Sequence, residues 1–397
     1  MSAIADGSTK ISGFPPGRDC ARSVALVQAL GVETDRDGDV LTVEGVGLEG
    51  LKEPATSLDA GNSGSTARMA CGLLAPQAFD CRITGDASLS QRPFERVVRP
   101  LTRMGASLRT TEGGLPVTIE GRRPLHGIDY SLPVPSAQVK TAVLLAGLRA
   151  DGATTVRERL HSRNHTEIAL REFGVEILES NGAVRVTGHE TLQGARFDVP
   201  GDFSSAAFFI TAAAFLPGSE LVVEHVGLNP TRTGLLNVLR DMGADIRVEI
   251  ESEGKGEAAG NVRVRGRELH GTVVTAEQLP AMIDEIPVLA VAAAFADGAT
   301  RVEGAAELRV KESDRLAAIV EGLRALGADV ETLPSGFVIH GGRVLEPSSL
   351  RTFGDHRMVM AWAVASLGMD GDCTMDHLDQ VKISYPGFWE ILDQLVR

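Results

Sequence analysis

Apolar positions along this 397-residue chain fall into two recurring patterns. In the first, Leu, Val, Ile and Met recur at i, i+3 and i+4, stop at a glycine, and give way to an alternating strand. It is repeated in VALVQALGVE, VVRPLTRMGASLR, IALREFGVEILE, LLNVLRDMGADIRVE and IVEGLRALGADVET. The spacing predicts amphipathic helices, each closed by a glycine at the C′ turn: Gly31, Gly105, Gly174, Gly243 and Gly327. FWEILDQLVR supplies a sixth helix of this kind. In the second pattern a polar loop opens a helix of small apolar residues, and a Thr/Val-rich strand follows. Its copies begin at GNSGSTARMACGLLA, PSAQVKTAVLLAGL, GDFSSAAFFITAAAFL, MIDEIPVLAVAAAFA and FGDHRMVMAWAVASL. A helix apolar on nearly every face has to be buried. Its polar first turn is then the part left for a ligand, and free N–H groups with partial positive charge suit anions there.

Pairing the two patterns gives six units of roughly 70 residues, a period long enough to decide the fold class. The expectation is an α/β protein of two domains with three units each, 1–200 and 201–397, hinged at Pro200–Gly201. The first unit is expected to be truncated. DGSTKISG matches strands such as GATTVRE, but the polar loop and buried helix that should precede it have no counterpart, a shortfall of roughly thirty residues.

Composition narrows the function. Hydrophobic residues make up 43% of the chain and aromatics only 4%, so the core is built from Ala, Val, Leu and Ile, which lets helices approach closely. A formal net charge of −14 argues against a nucleic-acid partner, since phosphate-backbone binding needs a basic face. It leaves room for a small anion held by a few focused cations. Cys20, Cys71, Cys81 and Cys373 show neither metal-ligand spacing nor a paired pattern and read as free thiols in a reducing cytoplasm. No charged-then-apolar leader and no long uncharged apolar run is visible, so neither secretion nor a membrane span is expected.

The chemistry-bearing residues gather in the polar loops. GNSGSTAR carries Asn62 and Gly64; GDASLSQRPFER carries Arg92, able to grip a carboxylate with two parallel bonds. PSAQVK offers Ser136, Gln138 and Lys140, and HSRNHTE offers Ser162 and Arg163. MIDEIP sets Asp284 and Glu285 at the mouth of an apolar helix, where a carboxylate is costly unless partnered. ELRVKESDR packs Lys311, Glu312 and Arg315 into one turn, FGDHRM adds Arg357, and VKISYPGFW adds Lys382. Singly, each also reads as a helix cap or a solvated charged turn. Together, many cations against few acids describe a site for two anionic groups with one or two carboxylates for proton transfer. A Walker lysine motif, a dinucleotide fingerprint and a Ser-His-Asp arrangement are all lacking.

From LDAGNSGSTAR through GDASLSQRPFERVVRPL, PSAQVKTAVLLAGL, SRNHTE, DEIPVLAVAAAFA, RVKESDRL, GDHRMVMA and VKISYPGFW, the chain resembles the EPSP synthase family, in order and from about residue 20 onward. The resemblance implies two inverted αβ domains of six βαβαββ-type repeats. It also implies transfer of the enolpyruvyl group of phosphoenolpyruvate to the 5-hydroxyl of shikimate 3-phosphate, through a tetrahedral intermediate and without cofactor or metal. By resemblance, Ser136, Gln138 and Ser162 hold shikimate 3-phosphate with help from Arg163, on the 1–200 side. Asp284 and Lys311 meet its hydroxyls, Asp284 as general base. Arg92, Arg315, Arg357 and Lys382 hold phosphoenolpyruvate, with Asn62 and Gly64 lining that pocket, which glyphosate occupies in this family. Glu312 protonates the methylene carbon. Ala137 and Met69 depart from the residues of many members. The family's G-D-K-S-x-S-x-R segment has no counterpart; GDFSS echoes it without the lysine. An N-terminal peptide or neighbouring subunit is the expected complement. The competing readings are a non-catalytic substrate-binding remnant and a UDP-N-acetylglucosamine enolpyruvyl transferase, the latter disfavoured because DASLSQRPF has no cysteine.

Overall fold

In the computed structural model, which describes residues 1–121, 124–252 and 256–396, the glycines that close the amphipathic helices all adopt left-handed backbone. Their φ angles are 85° at Gly31, 102° at Gly105, 85° at Gly174, 97° at Gly243 and 86° at Gly327. Glycine enters this region freely because it has no Cβ to clash, and so it stops each helix and turns the chain into the next strand. The chain divides into two units, Met1–Val199 and Pro200–Arg397.

The first unit contains α1 (Arg18–Ala29), α2 (Gly64–Leu74), α3 (Ala87–Ser90), α4 (Glu95–Arg103), α5 (Ala137–Gly147) and α6 (His165–Glu172). The second contains α7 (Phe203–Phe215), α8 (Gly234–Asp241), α9 (Ile286–Phe295), α10 (Arg315–Ala325), α11 (His356–Ser366) and α12 (Phe388–Val396). The small-residue helices α2, α5, α7, α9 and α11 are the buried ones, as their all-round apolarity requires. Their size sets how near they approach: a Cβ on Gly72 of α2 would lie 2.0 Å from the Ala142 carbonyl oxygen of α5. In α10, Gly322 leaves the face on which the Trp362 indole lies, since a Cβ there would come within 2.2 Å of the ring.

One sheet plan recurs. A short strand lies parallel to the next, the second pairs antiparallel with a third, and the third with a fourth. It is seen in Leu58–Asp59, Cys81–Thr84, Gly114–Glu120, Ser107–Thr111, again in Asp129–Ser131, Ala153–Arg157, Ala183–Thr187, Leu178–Ser180, and in Val273–Val274, Ala299–Val302, Gly336–His340, Asp329–Leu333. The parallel step spans a buried helix and the antiparallel steps follow an outer helix, the βαβαββ order expected of the repeats. The first sheet keeps the plan by taking its parallel strand, Arg196–Asp198, from the far end of the unit to lie beside Asp6–Ser12. In the second unit the sheet of Glu220–Gly227, Ala259–Arg265 and Asp245–Ser252 has a single parallel bridge, Gly201 to Val226, in place of the short strand. Among the described residues the sixth sheet is the parallel pair Ser349–Leu350 and Thr374–Met375. Also among the described residues, no helix is long and apolar enough to cross a membrane.

Each unit has its own core. The few aromatics concentrate in the second, where Phe208, Phe209, Tyr385 and Phe388 meet edge-on or tilted, and Phe215 stacks on Phe295 at 4.6 Å between centroids. Burying one such side chain contributes roughly 1.5–3 kcal/mol, which fixes the helix ends that carry the polar loops.

Candidate functional site

In the first unit the polar loops cap the buried helices they precede. The Ser63 hydroxyl accepts from the Thr66 N–H (3.3 Å) at the start of α2, and Ser136 accepts from the Val139 N–H (3.4 Å) at the start of α5. Two arginines are then aimed by side-chain amides. Arg68 donates to Gln138 Oε1 at 2.6 Å, and Gln138 in turn donates to Ser65 Oγ at 2.8 Å. Arg92 donates to Asn62 Oδ1 at 2.7 Å, while Asn62 donates to Asp86 Oδ2, also at 2.7 Å. Gly64 lies against both guanidinium groups: a Cβ there would come within 3.1 Å of Arg68 Nη1 and 3.3 Å of Arg92 Nη1. Asn62, Gly64, Arg92 and Gln138 are thus one assembly, which Arg68 completes.

Behind that assembly lies a second group. Lys140, 1% exposed on α5, donates to Glu158 Oε2 at 2.8 Å and to Glu167 Oε1 at 2.7 Å. Glu158 also accepts both donors of Ser162, the N–H at 3.3 Å and the hydroxyl. Burial raises the carboxyl pKa of Glu167, against the pull of Lys140. Arg163, half-buried, follows Ser162 in the loop that leads into α6.

The second unit gathers its charges more tightly. Arg315, 1% exposed at the start of α10, donates to Asp355 Oδ2 (2.7 Å) and Oδ1 (3.2 Å), to Glu312 Oε2 (2.6 Å) and to Asp284 Oδ1 (3.2 Å). Lys311 reaches the same Asp284 oxygen at 3.1 Å. Burial disfavours the Arg315 charge, yet Asp355, Glu312 and Asp284 outweigh it and raise its pKa. Burial likewise opposes ionisation of Asp355, and Arg315 outweighs it to hold that carboxyl below the usual range. Asp355 caps α11 through the Arg357 N–H at 2.9 Å. Arg357 donates to the Asp284 carbonyl at 3.1 Å and lies 3.6 Å from Glu285 Oε1. Glu285 accepts from Ser204 at 2.5 Å, and Ser204 accepts from Arg232 at 2.6 Å. His356 is held neutral, its pKa down to about 4, chiefly by burial and further by Arg357 and Arg315.

The structure therefore brings Asp284, Lys311, Glu312, Arg315 and Arg357 together. Lys382 projects its exposed side chain from the short helix Leu378–Ile383 and pairs with Asp379 at 2.5 Å. Sequence reasoning missed Arg68 and the partners Glu158 and Glu167; a lone lysine in the apolar run VKTAVLLAG was the available signal for a buried counter-charge.

Comparison with known proteins identifies the family. The family model for EPSP synthase (3-phosphoshikimate 1-carboxyvinyltransferase) matches residues 1–392. The chain is 48% identical to the 3-phosphoshikimate 1-carboxyvinyltransferase of Solibacter usitatus over 397 residues, covering 100% of this chain and 93% of that one. It is also 48% identical to that of Alkalilimnicola ehrlichii over 394 residues, 98% and 88% of the two chains. Among solved structures, an EPSP synthase from Acinetobacter baumannii superposes with a TM-score of 0.87 at 41% identity over 99% of this chain and 91% of that one. The enolpyruvyl transferase NikO from Streptomyces tendae shares the fold alone, with a TM-score of 0.76 at 19% identity, covering 100% of this chain and 90% of that one. A family model that matches residues 1–392, with relatives 48% identical over nearly the whole chain, means that the chain belongs to the EPSP synthase family.

Proposed function

We propose that this chain carries out its family's reaction, moving the enolpyruvyl group of phosphoenolpyruvate to the 5-hydroxyl of shikimate 3-phosphate and releasing phosphate. The observation that carries the division of labour is the convergence of Asp284 and Glu312 on the buried Arg315, with Lys311 on the same Asp284 oxygen. Two carboxylates held by shared cations are what a reaction with one proton removed and one added calls for. Asp284 takes the proton of the 5-hydroxyl as its oxygen attacks C2 of phosphoenolpyruvate, and Glu312 delivers a proton to the methylene carbon. Collapse of the tetrahedral adduct then breaks the C–O bond to phosphate and returns a methyl proton to Glu312, while the proton taken by Asp284 leaves with the phosphate. Lys311 orients the acceptor hydroxyls against Asp284, with which it is already paired.

Ser136, Gln138, Ser162 and Arg163 take the acceptor's phosphate and ring hydroxyls. Arg92, Arg315, Arg357 and Lys382 take the donor's phosphate and carboxylate, with Asn62 and Gly64 setting Arg92. Ser162 is held in its loop by Glu158, which accepts both its N–H and its hydroxyl. We also propose that a G-D-K-S-x-S-x-R segment complements this set with a lysine. Supporting it, the described residues of the first unit contain two buried central helices, α2 and α5, against three in the second.

The test is phosphate release from phosphoenolpyruvate in the presence of shikimate 3-phosphate, with and without a peptide carrying that segment. Release that needs both substrates supports the reading, and stimulation by the peptide supports the complement. Absence of release under either condition sinks the catalytic assignment, and full activity without stimulation removes the complement.

A further inference from the structure

The buried group Lys140–Glu158–Glu167 is unexplained by the chemistry above. A lysine and two glutamates within hydrogen-bonding distance, all nearly excluded from water, are costly to assemble. Their placement is particular. Lys140 lies one turn along α5 from Ser136, the residue that caps it. Glu158 directly follows the strand Ala153–Arg157, and Glu167 lies in the first turn of α6. Lys140 therefore ties together the two ends of the segment 159–164, which carries Ser162 and Arg163. Glu158 closes this segment on itself by accepting the Ser162 N–H and hydroxyl. Its backbone is fixed independently, the Glu158 N–H donating to the Gly182 carbonyl at 2.8 Å. Thr141 on α5 and Thr166 on α6 are hydrogen-bonded beside the group, a second tie between the same helices. Glu167 accepts from Lys140 through Oε1, and its other oxygen, Oε2, has no hydrogen-bond partner among the described residues. The two carboxylates thus differ: Glu158 faces the loop, whereas Glu167 faces the lysine.

We infer that Glu158, held from behind by Lys140, is a positioning residue that sets Ser162 and Arg163 for the phosphate of the acceptor substrate. This rests on the acceptor reading given above. A carboxylate accepts from Lys140 and from both Ser162 donors at once; a carboxamide can keep the lysine and the Ser162 N–H on its one oxygen, but its NH2 group cannot accept from the hydroxyl and it carries no charge. Replacing Glu158 by Gln therefore keeps the shape but weakens the hold on the loop. Replacing Glu167 by Gln disturbs the same lysine without touching the loop.

The test is titration calorimetry of shikimate 3-phosphate into the wild-type chain, E158Q and E167Q, with steady-state kinetics for both substrates. E158Q is expected to weaken shikimate 3-phosphate binding about tenfold or more, the loss of a hydrogen bond to a charged group. KM for phosphoenolpyruvate and kcat should stay within about twofold. E167Q should bind shikimate 3-phosphate like the wild type, with any change confined to thermal stability. A purely structural triad would give the opposite result, both variants losing melting temperature and affinity for both substrates in parallel. Unchanged or tighter binding by a folded E158Q overturns the inference while leaving the functional reading intact. Failure of the wild-type chain to bind shikimate 3-phosphate overturns the functional reading itself, and the inference with it.

Discussion

In the first unit Arg68 and Arg92 donate to the amide oxygens of Gln138 and Asn62, whereas in the second Arg315 donates to the carboxylates of Asp355, Glu312 and Asp284. The repeats that present these groups share one plan, so the difference lies in the chosen partners. An amide oxygen orients a guanidinium without cancelling its charge, which suits a surface that binds anions. A carboxylate both orients and neutralises, and it can exchange a proton, which suits a surface that performs chemistry. The buried Lys140 group shows that the first unit also uses carboxylates, but behind the binding surface, where they fix geometry.

The comparison can be broken most severely at Arg315. Replacing it by Met leaves the fully buried Asp355 without its guanidinium, and the unfolding free energy of the second unit should drop by about 3–5 kcal/mol, with turnover lost. Calorimetric melting decides this; a drop of less than about 1 kcal/mol would mean the cluster behaves like an exposed ion pair. Next in size is E312Q, which keeps the contact with Arg315 but removes the transferable proton. It should lower kcat by about 10²–10⁴ with an unchanged melting temperature, whereas a fall in KM terms alone would remove Glu312 from the chemistry.

A third effect is read from pH. His356 has its folded pKa held to about 4, below the ordinary value of 6.5, so the unfolded chain takes up a proton that the folded chain refuses. Stability should accordingly be lost as pH falls from about 6.5 to 4 and level off below that for this group, by about 3 kcal/mol in all. Melting curves across that window should flatten in H356N; identical slopes in the two proteins would exclude His356 as the source. The smallest effect belongs to the first unit. In G64A the new methyl must displace Arg68 and Arg92 by a few tenths of an ångström, both being flexible side-chain ends. KM for phosphoenolpyruvate should rise by less than about tenfold with kcat preserved, and a collapse of kcat would show that Arg92 acts on the reacting atoms rather than on the ground-state ligand.

Much of this was legible in the chain itself. The closing glycines could be read because a single residue type is needed for left-handed backbone, and the buried helices because they lack a polar face. The polar loops could be located for the same reason, each preceding an apolar helix. What could not be read is which charges pair. Glu158 is 18 residues from Lys140, and Asp355 is 40 from Arg315; neither separation leaves a local periodicity. Arg68 was hidden differently. It sits inside a helix that reads as core, and only its position beside Gly64 and Gln138 shows that it belongs with the loops.

The first sheet also has a temporal consequence. Asp6–Ser12 pairs on one side with its own neighbour Val40–Val46, but its other side is filled by Arg196–Asp198, and the Ala195 N–H reaches Thr9 Oγ1 across 186 residues. On a ribosome adding about 5–20 residues per second, that edge stands open for about ten seconds or longer after the strand emerges. The sheet that begins the chain is thus the last in its unit to be completed, and a chaperone guarding nascent strands would find its longest-lived target there.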